Sequence, residues 1–214
     1  MLPERRKIWG QVSASIRRYR AGDHDDVYDV CARTGAAGRD ARGRYSTDVL
    51  LGDIYAGPYL NIAPEHAYVL DNGERAVGYV IGTPSTKDFV ASYLADWLPR
   101  LRGTYAPPAA TPTSDEERKL ADMFAPEHML RLELAPHPAH LHINLLPDYQ
   151  GGGHGRALVA TFLDSVAAVG ARSCHLTVRA ANVGALRFYD KLGWRRIEVA
   201  DPGPSVFLVK STTG

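Results

Sequence analysis

The sequence predicts one domain built on a mixed α/β sheet, and three observations predict it. Residues 141–146 form a short apolar run of strand type; past a glycine-rich turn, Ala157, Leu158, Phe162, Leu163, Val166 and Val169 recur at helical spacing. Residues 173–178 and 181–192 repeat that succession of strand and helix, with Gly193 as the stop. Residues 66–71 and 76–82 flank Asn72-Gly73, a hairpin signal whose loop Glu74-Arg75 lengthens beyond two residues.

The remaining elements follow in order. Residues 1–14 read as a frayed leader, and residues 15–20 alternate polar and apolar as a first strand does. Gly22-Asp23 offers an N-cap to an amphipathic helix through Val27, Val30 and Cys31, which Gly35 and Gly38 end. Residues 46–51 read as a second helix and residues 57–60 as a loop lying against the sheet. From about 84 to 138 the sheet pattern is interrupted by a helical insertion. Phe89, Tyr93, Leu94, Trp97 and Leu98 make one helical face there. A loop with Pro107, Pro108 and Pro112 follows, and Ser114-Asp115-Glu116-Glu117 reads as a capping box. So long a connection is of the kind that forms lids and binding elements. Residues 194–199 and 205–209 close the chain as a pair around Asp201-Pro202-Gly203.

Composition narrows the class. The chain has 214 residues, 45% of them hydrophobic and 23% charged, which suits one soluble domain with a sizeable core. A formal net charge of +1 gives no electrostatic case for nucleic acid. No run of about 18 apolar residues indicates a membrane span, and no signal-peptide pattern follows the N-terminus. Cys31 and Cys174, both in apolar-periodic segments, read as structural thiols in a reduced, cytoplasmic setting.

The chemistry gathers at Pro147-Asp148-Tyr149-Gln150-Gly151-Gly152-Gly153-His154-Gly155-Arg156. A turn between a strand end and a helix start aims unpaired backbone N–H groups and the helix dipole at one point, a place for an anion such as phosphate. There is no Gly-Lys-Ser/Thr for a nucleotide-hydrolase loop, and no register of Gly-x-Gly-x-x-Gly fits. What remains is Gln-x-x-Gly-x-Gly, Gln150 to Gly155, which resembles the acyl-CoA pyrophosphate loop of the GNAT acyltransferase superfamily. A glycine-rich turn with no ligand stays open on these six residues alone. About 30 residues further on, Asn182-Val183-Gly184-Ala185-Leu186-Arg187-Phe188-Tyr189, followed by Gly193-Trp194, resembles the second signature of that superfamily. The stretch from Gly57-Pro58-Tyr59-Leu60 through Gly82-Thr83 further resembles the acetyltransferase-like C-terminal domains of animal O-GlcNAcases, as a free-standing bacterial relative would. Those animal domains lack a good pyrophosphate turn, whereas here it is intact.

The resemblance implies a GNAT fold, a mostly antiparallel central sheet with splayed middle strands and flanking helices, and acetyl-CoA as cosubstrate. It implies that the backbone of Leu145 and Leu146 pairs with the pantetheine arm, with Pro147 ending the ladder because it has no N–H. Gln150, Gly151, Gly152, Gly153, His154, Gly155 and Arg156 would hold the pyrophosphate, with Asn182, Ala185, Phe188 and Tyr189 lining the arm from the second motif. Arg156 or Arg187 would add charge at the nucleotide end, or lie solvated at the surface. Catalysis falls to a backbone N–H near Leu145 for the oxyanion and to Tyr189 as the acid for the leaving thiolate. Asn182 would bond the pantetheine or an ordered water. For the base three readings stand: His142, which shares a strand face with Asn144; water-relayed deprotonation; and an acid from the insertion such as Glu133.

Two other classes compete. His137, His140 and His142 invite a metal site, but no carboxylate motif or cysteine cluster completes a coordination set. A non-catalytic module, binding acetyl-CoA or a peptide without transfer, follows from the O-GlcNAcase resemblance. The acceptor amine is not legible, since residues 39–64 and 84–138 choose it; a homodimer through the insertion or the last strands is compatible with either reading.

Overall fold

A computed structural model describes residues 14–213, so all but Ala14 of the expected leader lies outside the described residues. Seven strands form one sheet: β1 (Ser15–Arg18), β2 (Tyr68–Asp71), β3 (Ala76–Thr83), β4 (Ala139–Leu145), β5 (Ser173–Arg179), β6 (Arg195–Ile197) and β7 (Ser205–Ser211). Their order is β1-β2-β3-β4-β5-β7-β6, and every neighbouring pair is antiparallel except β4 and β5. The expected mixed, mostly antiparallel sheet is what the chain forms. The parallel pair meets only at Ala139–Cys174 and His140–His175, although β4 runs on to Leu145 and β5 to Arg179. The middle of the sheet therefore splays open.

Among the described residues eight α-helices flank it: α1 (His24–Thr34), α2 (Leu50–Tyr55), α3 (Gly57–Ile62), α4 (Thr86–Ser92), α5 (Leu98–Leu101), α6 (Asp115–Phe124), α7 (His154–Ala167) and α8 (Val183–Lys191). A π turn, Tyr93–Trp97, joins α4 to α5. Strand alternation sorts the helices by face. His140 on β4 meets Tyr59 of α3 and Phe89 of α4, while a Cβ on Gly82, opposite Leu141, would strike Phe162 of α7. So α3 and α4 cover one face and α7 the other. Val27, Val30, Leu50, Leu70, Val80, Leu158, Phe162 and Val166 have no exposed surface, and full burial of such a side chain contributes about 1.5–3 kcal/mol. Arg17 ties the sheet edge to the start of α1, 2.7 Å from Asp23 and 2.6 Å from Asp71.

Two elements differ from the sequence reading. The second helix starts at Leu50 rather than Ser46, because the N–H and hydroxyl of Ser46 both bond Glu116 of α6 at 2.9 and 2.5 Å, and Asp48 accepts from the Gly43 N–H. The expected loop at 57–60 is helix α3: Pro58 presets its first turn, and Tyr59 and Leu60 are buried. Gly57 is what lets it approach, since a Cβ there would lie 2.2 Å from the Tyr28 hydroxyl and 2.6 Å from the Trp97 ring. The hairpin loop is Asn72 to Arg75, where Asn72 Oδ1 accepts from the N–H groups of Glu74 and Arg75. The capping box holds too, with Ser114 and Glu117 bonding each other's backbone at the start of α6. Between β3 and β4 the chain forms α4, the π turn, α5 and α6.

Candidate active site

The glycine turn stands at the mouth of the splay. Gly151 and Gly153 have φ of +79° and +87°, a left-handed conformation that costs a side-chain-bearing residue roughly 1–2 kcal/mol. Gly153 is the N-cap of α7, and the first bond closing the helix runs from the Ala157 N–H to its carbonyl. The N–H groups of His154, Gly155 and Arg156 precede that bond and so have no helical carbonyl to reach. A Cβ on Gly155 would lie 3.2 Å from the Phe188 ring, so the turn is pressed against α8. The Gln150 side chain reaches back to donate to the Leu145 carbonyl at 2.9 Å.

Backbone polarity along β4 is set by one bond. The Leu146 N–H donates to the Val77 carbonyl at 3.0 Å, so even-numbered residues turn their backbone groups to β3. Odd-numbered residues turn theirs to β5, and past Leu141 no partner strand meets them. Ile143 and Leu145 thus face the open seam. This separates a pair that the sequence reading joined: Leu145 lies on the seam, whereas Leu146 is engaged at its N–H by Val77 and at its carbonyl by the Tyr149 N–H. Ile143 takes its place, and alternation from Leu145 would have found it.

Tyr189 reaches the seam from the α7 side. His175 shares the face of His140, so its neighbour Cys174 points the other way, towards Tyr189. The Tyr189 ring is buried between Phe188 and Trp194, with centroids at 5.0 and 5.5 Å, and its hydroxyl has no hydrogen-bond partner among the described residues. Burial pushes the phenol well above its ordinary value, with Cys174 adding to the effect. Asn182 is the N-cap of α8, its Oδ1 accepting from the Ala185 N–H at 3.1 Å. Its Oδ1 thus caps the helix, and its Nδ2 amide has no partner among the described residues. Ala185 and Phe188 are half-buried on the same helix.

His142 and Asn144 lie on the opposite face, as alternation required. Asn144 donates to the Tyr79 hydroxyl at 2.9 Å. His142 Nε2 lies 3.2 Å from the Tyr59 hydroxyl, and its ring faces Tyr55 and Tyr59 at 5.9 and 5.1 Å between centroids. Burial, then His175, lowers the imidazole to about 4, so it is neutral at pH 7 with a lone pair to offer. Tyr59, which the sequence did not single out as a site residue, also lies 2.7 Å from His140 Nε2.

The other candidates are placed elsewhere or otherwise engaged. Glu133 accepts from the Ala200 N–H at 2.7 Å, and that bond holds its carboxyl below the usual range, which ill suits a base. Arg156 and Arg187 are exposed, and Arg187 shares a surface groove with Asp190 and Trp194. His137 bonds Ser173, His140 bonds Tyr59 and Thr86, and His142 bonds Tyr59, so each of the three histidines of the metal reading is engaged by protein hydroxyls. Cys31 and Cys174 are buried free thiols. No helix among the described residues is long and apolar enough to cross a membrane.

The splayed sheet, the glycine turn and the second-motif helix define an acyltransferase-type architecture. The profile of the acetyltransferase (GNAT) family matches residues 39–194, and the chain belongs to that family. Among solved structures it is similar to SsHAT, with 46% identity and a TM-score of 0.90 over 94% of this chain and all of that one. It is 26% identical to protein O-GlcNAcase of Rattus norvegicus over 181 residues, 84% of this chain but 20% of the relative, so it spans about a fifth of that protein's length. A GNAT superfamily phosphinothricin acetyltransferase from Sinorhizobium meliloti, solved in complex with AcCoA, shares the fold at 13% identity and a TM-score of 0.54, over 92% of this chain and 88% of that one.

Proposed function

We propose that this chain is an acetyl-CoA-dependent N-acetyltransferase that moves the acetyl group to an amine by direct attack. The observation that carries this reading is the seam between β4 and β5, open past His140, with the phenol of Tyr189 on one face and the neutral imidazole of His142 on the other. A pantetheine arm pairs naturally with the seam-facing backbone of Ile143 and the N–H of Leu145, whose carbonyl Gln150 holds, its pyrophosphate meeting the turn at Gln150 to Arg156. In this reading His142 takes a proton from the amine as its nitrogen attacks the thioester carbon. The N–H of Ile143 or Leu145 steadies the oxyanion, a contribution of roughly 3–4 kcal/mol where such donors have been removed. As the C–S bond breaks, Tyr189 gives its proton to the leaving thiolate. Asn182 acts through α8, and its Nδ2 is left for the arm. Buried free thiols fit a reduced, cytosolic setting.

Calorimetry with acetyl-CoA, followed by thiol release with a panel of amines, tests the reading. Binding with turnover on at least one amine is expected. Binding without turnover on any amine would favour a module that holds the coenzyme without using it. No binding at all would overturn the assignment of the turn.

A further inference from the structure

The stretch Gly57-Pro58-Tyr59 has no task in the mechanism so far, and neither has the buried His140. Four contacts join them. Thr86 Oγ1 lies 2.8 Å from the Pro138 carbonyl and 2.7 Å from His140 Nδ1. His140 Nε2 lies 2.7 Å from the Tyr59 hydroxyl, which lies 3.2 Å from His142 Nε2. Each hydroxyl has one proton, and each neutral imidazole has one N–H and one lone pair. The direction of the whole chain is therefore decided at its end.

A carbonyl only accepts, so the Thr86 hydroxyl donates to Pro138. It then accepts from His140 Nδ1–H. The lone pair of His140 falls on Nε2 and takes the Tyr59 proton, and the Tyr59 oxygen accepts from His142 Nε2–H. Run the other way, the Thr86 and Pro138 oxygens would face each other lone pair to lone pair at 2.8 Å. In the consistent direction the lone pair of His142 lies on Nδ1, for which no partner is recorded among the described residues. We propose that Thr86, His140 and Tyr59 are positioning residues that lock His142 in the Nε2–H tautomer and so leave Nδ1 as the atom that takes the acceptor amine's proton. The chain also turns oxygen and nitrogen lone pairs towards the imidazolium that forms, which steadies its charge without a carboxylate. His140 and Tyr59 are both buried, so water does not compete for these bonds.

The proposal rests on His142 as the base, and the experiment separates the two. Multiple-bond 15N correlation of the histidine rings reads the tautomer without turnover. Wild-type His142 is expected as Nε2–H. Tyr59→Phe and Thr86→Val are expected to mix the tautomers and to lower kcat at least tenfold, with the KM for acetyl-CoA within twofold. The amine for those rates is the best acceptor among spermidine, a lysine peptide and an aminoglycoside. Thr86→Ser, which keeps the hydroxyl, should restore both readouts. A wild-type Nδ1–H tautomer, or a Tyr59→Phe enzyme with unchanged kcat and a single tautomer, overturns the proposal. Full turnover in His142→Gln, with the wild-type ring still Nε2–H, instead overturns the base assignment on which the proposal stands.

Discussion

Burial acts on Tyr189 and His142 in opposite senses, and each sense suits the role assigned. Loss of water disfavours the charged form, so the phenol stays protonated and the imidazole stays free of its extra proton. Tyr189→Phe should therefore lower turnover by roughly 100-fold or more, the usual range for a lost general acid, while the Kd for acetyl-CoA moves by less than about twofold. Thiol release and calorimetry on the same preparation check this; equal turnover would remove Tyr189 from the mechanism. The histidines also make a stability prediction. His140, His142 and His175 all have folded values below 6.5. Between pH 6.5 and about 4 the unfolded chain binds more protons than the folded one, so stability falls as pH falls, by up to about 1.4 kcal/mol per pH unit for each such group. Urea unfolding from pH 7 to pH 5 reads it, and a flat profile would contradict the burial. The pairing of His142 with Asn144 on one face was legible from strand alternation. Tyr59 and Thr86 were not, because they lie 81 and 54 residues from His140 and no local pattern reports a meeting at that distance.

The elements that carried their own punctuation were the legible ones. The glycine turn, the Ser114–Glu117 box and the Asn72-Gly73 loop each fix backbone geometry through residues next to one another in sequence. Helix α3 escaped because six residues are too few to show a period, and its glycine and proline mimic a loop. The insertion was recognisable as helical, but its docking was hidden. Glu116 and Asp115 of α6 hold Ser46 and Tyr45, each 70 residues earlier, and so bring α6 against the face that carries His142. The position of α3 is more exacting than its length suggests. Gly57→Ala puts a methyl into Tyr28 and Trp97, an overpacking worth about 1–3 kcal/mol, and moves Tyr59 with it. We expect a lower melting temperature together with a kcat loss beyond what the remaining folded fraction explains. A destabilised variant with full activity per folded molecule would show that α3 only fills space.

At the scale of the molecule the sheet is two half-sheets, β1 to β4 and β5 to β7, whose ladder is two residue pairs long. A ligand lying between them adds its affinity to the stability of the fold, about 2.7 kcal/mol at a hundredfold excess over Kd. Acetyl-CoA should raise the melting temperature and slow amide exchange at Ile143 and Leu145 above all, and exchange unchanged at those two amides would place the arm elsewhere. The splay itself could be inferred only through the family resemblance, since residues 141–146 and 173–178 read as ordinary strands. A seam of this kind also carries a consequence for timing. One wall of the cleft beside His142 is the free edge of β4, and in the proposed mechanism the donor gives that edge a neighbour. On the proposed mechanism the acceptor meets a finished cleft only once the donor is seated, so the reaction is expected to be a queue, with acetyl-CoA entering first and CoA leaving last. Product inhibition by CoA that is competitive against acetyl-CoA and noncompetitive against the amine is the pattern expected. Competition by CoA against both would mean that either may enter first.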